Sequence, residues 1–316
     1  MNILDKKLQQ KIEEKFSQLQ KLRPLSPVMV EKLRSQFSIE MTYNSNAIEG
    51  NKLTLRETGF IINEGITIKG KSFKDHLEAK DHYEAIDYLY GIIEDGSKYP
   101  ISEVLIRNLQ RMIIKETDPD VAGVYRNGSV IISGSKHRPP EAYDVPQLMK
   151  ELIIWINRNK NKIHPIELAA IVHHKIVNIH PFFEGNGRTA RLVMNLLLMQ
   201  EGYPLVIILK QDRKKYYQCL EKADKNNYSD FVQFIAQAVE RSLNIYLRTL
   251  TPTKSINQKY LLLSELSKQT SFSEKYLNLL ARQGKIEAHK EGRNWVATMQ
   301  AINKYMDNRE RKRNNN

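Results

Sequence analysis

Residues 165–202 constrain the fold more than any other stretch. Two apolar runs with helical periodicity, PIELAAIVHHKIVN and RTARLVMNLLLMQ, are separated by only a short polar and aromatic segment, IHPFFEGNG. Pro165 opens the first run, where a missing amide hydrogen costs nothing. Pro181 halts it just after His180, and Gly202 stands past the end of the second as a C-terminal stop. EGNG is then a turn between two helices, with the second opening near Gly187. Leu148, Leu152, Trp155 and Ile156 repeat the helical spacing upstream, and YYQCLEKADK and the stretch 228–250 repeat it downstream.

One segment breaks the pattern. In residues 123–140, Val130, Ile131 and Ile132 stand between Asn127-Gly128 and Ser133-Gly134, which predicts a short β-hairpin on a helical body. The polar stretch TLTPTKSINQ, residues 249–258, contains Pro252 and reads as a hinge. Beyond it, residues 254–316 hold 13 Lys+Arg against 6 Asp+Glu, so this fifth of the chain carries +7 of the formal +13. The charge points to anionic partners, nucleic acid or phosphates. The last residues, RERKRNNN, are expected to fray.

Composition excludes other classes. At 41% hydrophobic and 27% charged over 316 residues, the chain is an ordinary globular protein of one or two domains. It has no apolar run long enough for a membrane span, and its charged N-terminus lacks the apolar core of a signal peptide. The single cysteine, Cys219, reads as core and suits a reducing cytoplasm.

The turn HPFFEGNGRTAR gathers unusual chemistry. A helix N-terminus flanked by glycines offers unpaired amides and about half a positive charge to an anion. Arg188, Arg191 and Asn195 follow at i, i+3 and i+7 on one face. Two guanidiniums beside such a cradle suit a polyphosphate. Glu184 is a hard oxygen donor for Mg²⁺ bridging phosphate oxygens, and His180 titrates near neutrality and can take a proton from a hydroxyl. Together these types point to transfer of a phosphorus-containing group from a nucleotide. Singly, each is more often structural.

HPFFEGNGRTAR resembles, without a mismatch, the HPFx(D/E)GNGRxxR signature of the Fic family. The likeness extends over residues 104–250. It implies a mainly α fold, a Fic helical bundle with a β-hairpin flap, and transfer of AMP from ATP to a Ser, Thr or Tyr hydroxyl of a protein. The resemblance assigns His180 as the base, Phe182 as the anchor of the turn and Glu184 as the Mg²⁺ ligand. It assigns the ATP phosphates to Gly185, Asn186, Gly187, Arg188, Thr189, Ala190 and Arg191. Tyr216 and Tyr217 fall where the family places an aromatic near adenine, while Asp224 stands where the family has an asparagine. Ile132, Ser133, Gly134 and His137 are the flap residues expected to dock the target backbone as an added strand.

Upstream, Ser45-x-x-x-Glu49-Gly50 resembles the family's (S/T)xxxE(G/N) inhibitory motif. On a helix Ser45 and Glu49 point the same way, and a carboxylate on Arg191 would remove the charge meant for the γ-phosphate. Thr54 and Glu57 form a capping box for the next helix. His173 and His174 are adjacent and point different ways on their helix, which argues against a metal site.

The expected organisation is an N-terminal helical segment, 1–100, with the inhibitory helix near 38–50, a Fic domain, 101–250, and a module at 254–316. The motif GKIEAHKEGRNW makes the last resemble a winged helix-turn-helix, an α+β unit with Lys285, Lys290 and Arg293 toward phosphates and Tyr276 and Leu280 inside. Two functions stay open. One is an autoinhibited adenylyltransferase using ATP and Mg²⁺ on a target protein or on itself, able also to remove AMP. The other is a nucleotide-sensing regulator acting on DNA or protein through the C-terminal module. Oligomers are common in the family, so a homodimer is among the implied states, with no membrane partner.

Overall fold

The computed structural model describes residues 3–96, 99–132, 135, 137–251 and 260–314. The chain divides into two compact units, Met1–Leu250 and Thr251–Asn316. The hinge expected at 249–258 lies largely outside the described residues.

The first unit is helical: α1 (Lys6–Lys21), α2 (Pro27–Ile48), α3 (Leu55–Glu64), α4 (Phe73–Glu94), α5 (Glu103–Ile114), α6 (Val145–Asn159), α7 (Pro165–Ile179), α8 (Asn186–Gln200), α9 (Arg213–Ala223) and α10 (Ser229–Leu250). The pair α7 and α8 forms its centre, with α5, α4 and α2 against α8 and α10 and α6 against α7. Every residue of α8 from Arg188 to Met199 is buried. Asn195, placed by its spacing on the face of the two arginines, is a structural residue. Its side chain exchanges hydrogen bonds with the backbone of Val206, fixing the segment after α8. The helix expected near 38–50 is longer than its motif, because Pro27 can open α2 far upstream and Phe37, Met41 and Ile48 bury along it. The Thr54–Glu57 capping box is present at α3.

The predicted hairpin falls partly outside the described residues, which omit Ser133, Gly134 and Lys136. Among the described residues of 123–140 there is no strand. The Ser135 amide donates to Ile132 O at 3.1 Å, the Arg126 amide donates to Pro181 O at 2.9 Å, and the Arg126 guanidinium collects the carbonyls of Gly128 and Pro140. A buried guanidinium has five donors, enough to gather several carbonyls at once.

The second unit has its own core around Leu263, Leu266, Leu277, Leu280, Ile286 and Ile302. Its elements are β1 (Leu261–Leu262), α11 (Leu263–Ser267), α12 (Glu274–Arg282), β2 (Ala288–Glu291), β3 (Asn294–Ala297) and α13 (Met299–Asn314). The strands form an antiparallel sheet in the order β1-β3-β2. Gly284 ends α12 with a φ of +65°, as its position predicts. The helix α13 runs on to Asn314, through the basic run expected to fray. No helix among the described residues is long and apolar enough to cross a membrane.

Candidate active site

His180 caps the C-terminus of α7 in a left-handed conformation, φ +52°, unusual for a residue with a side chain. Two bonds over-determine it. Its amide donates to Ile176 O at 2.9 Å, and its carbonyl accepts from Arg126 Nε at 2.8 Å. Nδ1 lies 3.3 Å from Val177 O, which calls for the Nδ1–H tautomer and leaves Nε2 with its lone pair. Burial pushes the imidazole down to about 4, with Val177 opposing and Arg126 adding to the shift. The ring is therefore a neutral base at neutral pH.

The turn itself is locked by side chains. Phe182 is fully buried against Tyr125. Asn186 donates to Phe182 O at 2.8 Å and accepts from Phe182 N at 2.9 Å, closing the loop on itself. Gly185 has a φ of +81°, and a Cβ there would lie 3.1 Å from Ile113. A larger residue is disfavoured on both counts.

The two arginines of α8 are held differently. Arg191, 2% exposed, donates Nε to Ser45 Oγ at 2.8 Å and Nη2 to Ser45 O at 3.0 Å and Glu49 Oε1 at 2.7 Å. Tyr216 Oη lies 3.5 Å from its Nη1. Burial alone would lower its pKa, but Glu49 and Tyr216 together hold it above the ordinary value. A Cβ on Gly187 would collide with the Glu49 carboxylate. Glu49 therefore sits on Arg191 and against the first turn of α8 at once, in the position that a helix N-terminus offers to an anion.

Arg188 is fully buried between two carboxylates, Glu184 Oε1 at 2.9 Å and Glu78 Oε1 at 3.3 Å. Glu78, on α4, also accepts from Asn51 Nδ2 at 2.9 Å. Asn46 donates to Glu78 O, and Arg213 Nε donates to Ile48 O at 2.8 Å. The end of α2 that carries Glu49 is thus fastened to α4 on one side and α9 on the other.

Glu184 is the exposed carboxylate of the turn, with 43% of its side chain open. Among the described residues no group of three His, Cys, Asp or Glu side chains could hold a metal alone. A single hard carboxylate fits a magnesium ion that takes its other ligands from nucleotide phosphates and water.

Other expected residues are placed less directly. Thr189 and Ala190 are fully buried in α8. Tyr216 is core, 1% exposed, with its hydroxyl 3.0 Å from His173 Nε2. Tyr217 is half-buried, with Arg213 stacked on its ring at 4.9 Å. His174 hydrogen-bonds Asp224 at 2.9 Å. Of the flap residues, Ser133 and Gly134 lie outside the described residues and Ile132 is half-buried. His137 Nε2 meets Asn178 O at 2.7 Å, and Asn178 in turn donates to Asp224 at 3.0 Å. Sequence reasoning missed Arg126 and Glu78. Each is one charge in a polar or amphipathic stretch, and only the long-range packing gives it a partner.

The family model for the Fic/DOC family matches residues 100–198. A curated relative from Nematostella vectensis, named protein adenylyltransferase Fic, is 36% identical over 250 residues, 78% of this chain and 57% of its own length. The chain spans about half the length of the curated relatives it matches. A solved Fic domain containing signaling protein from Bacteroides thetaiotaomicron superimposes with a TM-score of 0.71 at 29% identity, over 76% of this chain and 97% of that one. A Fic-1 structure from C. elegans gives 0.69 at 30% identity, over 76% and 72%. The signature turn, the helices that carry it and the likeness over three quarters of the chain agree: this chain belongs to the Fic/DOC family.

Proposed function

We propose that this protein transfers AMP from ATP to a hydroxyl of a target protein or of itself, and that Glu49 holds the reaction back. The curated relatives named as adenylyltransferases support the activity. His180 Nε2 takes the proton of the incoming hydroxyl. The hydroxyl oxygen bonds to the α-phosphorus, the bond from that phosphorus to the bridging oxygen breaks, and pyrophosphate leaves. Arg188 neutralises the departing phosphates, and Glu184 holds magnesium, which when bound supplies further neutralisation of phosphate charge. Tyr217 offers its half-buried ring to adenine, with Tyr216 beside it. Ile132, Ser133, Gly134 and His137 receive the target backbone. The reverse step, removal of AMP by water, would use the same site with Glu49 orienting the water.

The observation that carries this reading is the Glu49–Arg191 contact at 2.7 Å. The carboxylate occupies the cation that the γ-phosphate needs, so productive ATP must displace it. A charge-assisted contact of this kind, lost from the ground state, changes turnover by roughly 10- to 1,000-fold. The test is label transfer from ATP carrying ³²P at the α or the γ position, in Glu49→Gly and Glu49→Gly/His180→Ala. Label on protein from the α position only, lost in the double variant, is expected. Transfer from the γ position, or transfer that survives loss of His180, would contradict the reading.

A further inference from the structure

We propose that the second unit binds duplex DNA through the outer face of α12 and the turn between β2 and β3. This is a separate activity that does not rest on the transferase reading. The unit presents two short helices joined by a turn, then a two-stranded hairpin whose strand β3 also pairs with β1. One face of α12, with Leu277, Leu280 and Ala281, is spent on the core. The other carries Lys275, Asn278, Leu279 and Arg282, at i, i+3, i+4 and i+7. Lys285 follows directly, and Arg293 stands exposed at the hairpin turn, where Gly292 has a φ of +59°.

The charges on this face are available. Lys275, Arg282, Lys285 and Arg293 are exposed and have no ion-pair partner among the described residues. The nearby carboxylates Glu287 and Glu291 are engaged by Lys304 at 3.1 Å and His289 at 3.1 Å. Glu274 is the one acidic residue of α12 and lies in its first turn. Shape and chemistry then select the partner. A helix of this diameter enters the major groove of B-form DNA, whereas the narrow major groove of A-form RNA excludes it. A docking surface for protein would present a contiguous apolar patch, and the only large apolar side chain exposed in this unit among the described residues is Leu279.

The test uses the full chain and a fluorescent random-sequence duplex, with binding followed by anisotropy from low to physiological salt. Four phosphate contacts give a log–log salt slope of about −3 to −4. Lys275→Glu/Arg282→Glu should weaken binding at least about tenfold, and Arg293→Glu should make the slope shallower by about one. Both variants should keep the wild-type melting curve, so a folding failure would be visible. Reversal of two exposed lysines of the first unit, Lys214→Glu/Lys225→Glu, should leave binding as it was. The proposal is overturned if wild type shows no duplex binding at low salt, in which case the face serves a protein. It is equally overturned if the first-unit reversal weakens binding as much as the α12 reversal does.

Discussion

Glu49 and Arg126 both reach the catalytic turn from distant segments, yet they are held in opposite ways. Glu49 keeps 31% of its side chain exposed and makes its contact through a single carboxylate oxygen over α8. Arg126 is 2% exposed and spends its whole guanidinium on the carbonyls of His180, Gly128 and Pro140. One charge stays partly open to solvent and, on the proposed reading, faces the space that a nucleotide would enter and can be displaced. The other lies behind the turn and cannot leave without stranding three acceptors. A charge at the rim of such a site can regulate it, whereas a charge buried behind it fixes the geometry that the chemistry needs.

The largest effect that would test this contrast is on stability. Arg126→Ala leaves three carbonyls without their donor, each costing about 1–3 kcal/mol if buried. Chemical denaturation should show a loss of several kcal/mol, and label transfer in a Glu49→Gly background should fall with it. Arg126→Lys should recover little, because an ammonium cannot span the fork. An Arg126→Ala variant as stable as wild type would end the distinction.

The next effect is smaller. Ser45 accepts from Arg191 Nε beside the Glu49 contact, so Ser45→Ala removes one neutral acceptor of a guanidinium. That is worth about 1 kcal/mol, and label transfer should rise roughly fivefold with little change in melting. No rise would place the whole brake on Glu49.

The smallest effect is on pH dependence. With His180 pushed to about 4, kcat/KM of Glu49→Gly should stay level as pH falls through 6.5 and turn down only near 4. Glu49 raises the His180 pKa, so its removal moves the acid limb further down. An acid limb at 6.5 would mean that His180 is not desolvated as the structure has it.

How much of this was legible follows from where each partner lies. The catalytic turn is contiguous, so His180, Glu184, Asn186 and the two arginines could be read together, and the glycines announced a turn before α8. Glu49 was legible only through the resemblance of Ser45-x-x-x-Glu49-Gly50 to the family's inhibitory motif, since its partner Arg191 stands 142 residues away. Arg126 and Glu78 were not, since their partners stand 54 and 110 residues along the chain. The β-like spacing at Val130–Ile132 says nothing of the guanidinium that gathers the carbonyls of Gly128 and Pro140 around it. Tyr216 has the composition of a ligand-stacking residue, and only the packing of His173 and Phe231 around it reveals a core position.

The central claim is that one displaceable carboxylate separates the silent enzyme from the active one. Initial rates of label transfer from α-³²P-ATP in wild type and Glu49→Gly, with melting curves measured alongside, test it most directly. A rise of roughly 10- to 1,000-fold with the melting temperature little changed is the predicted result. Equal rates in the two proteins, or a rise matched by a large loss of stability, would contradict it.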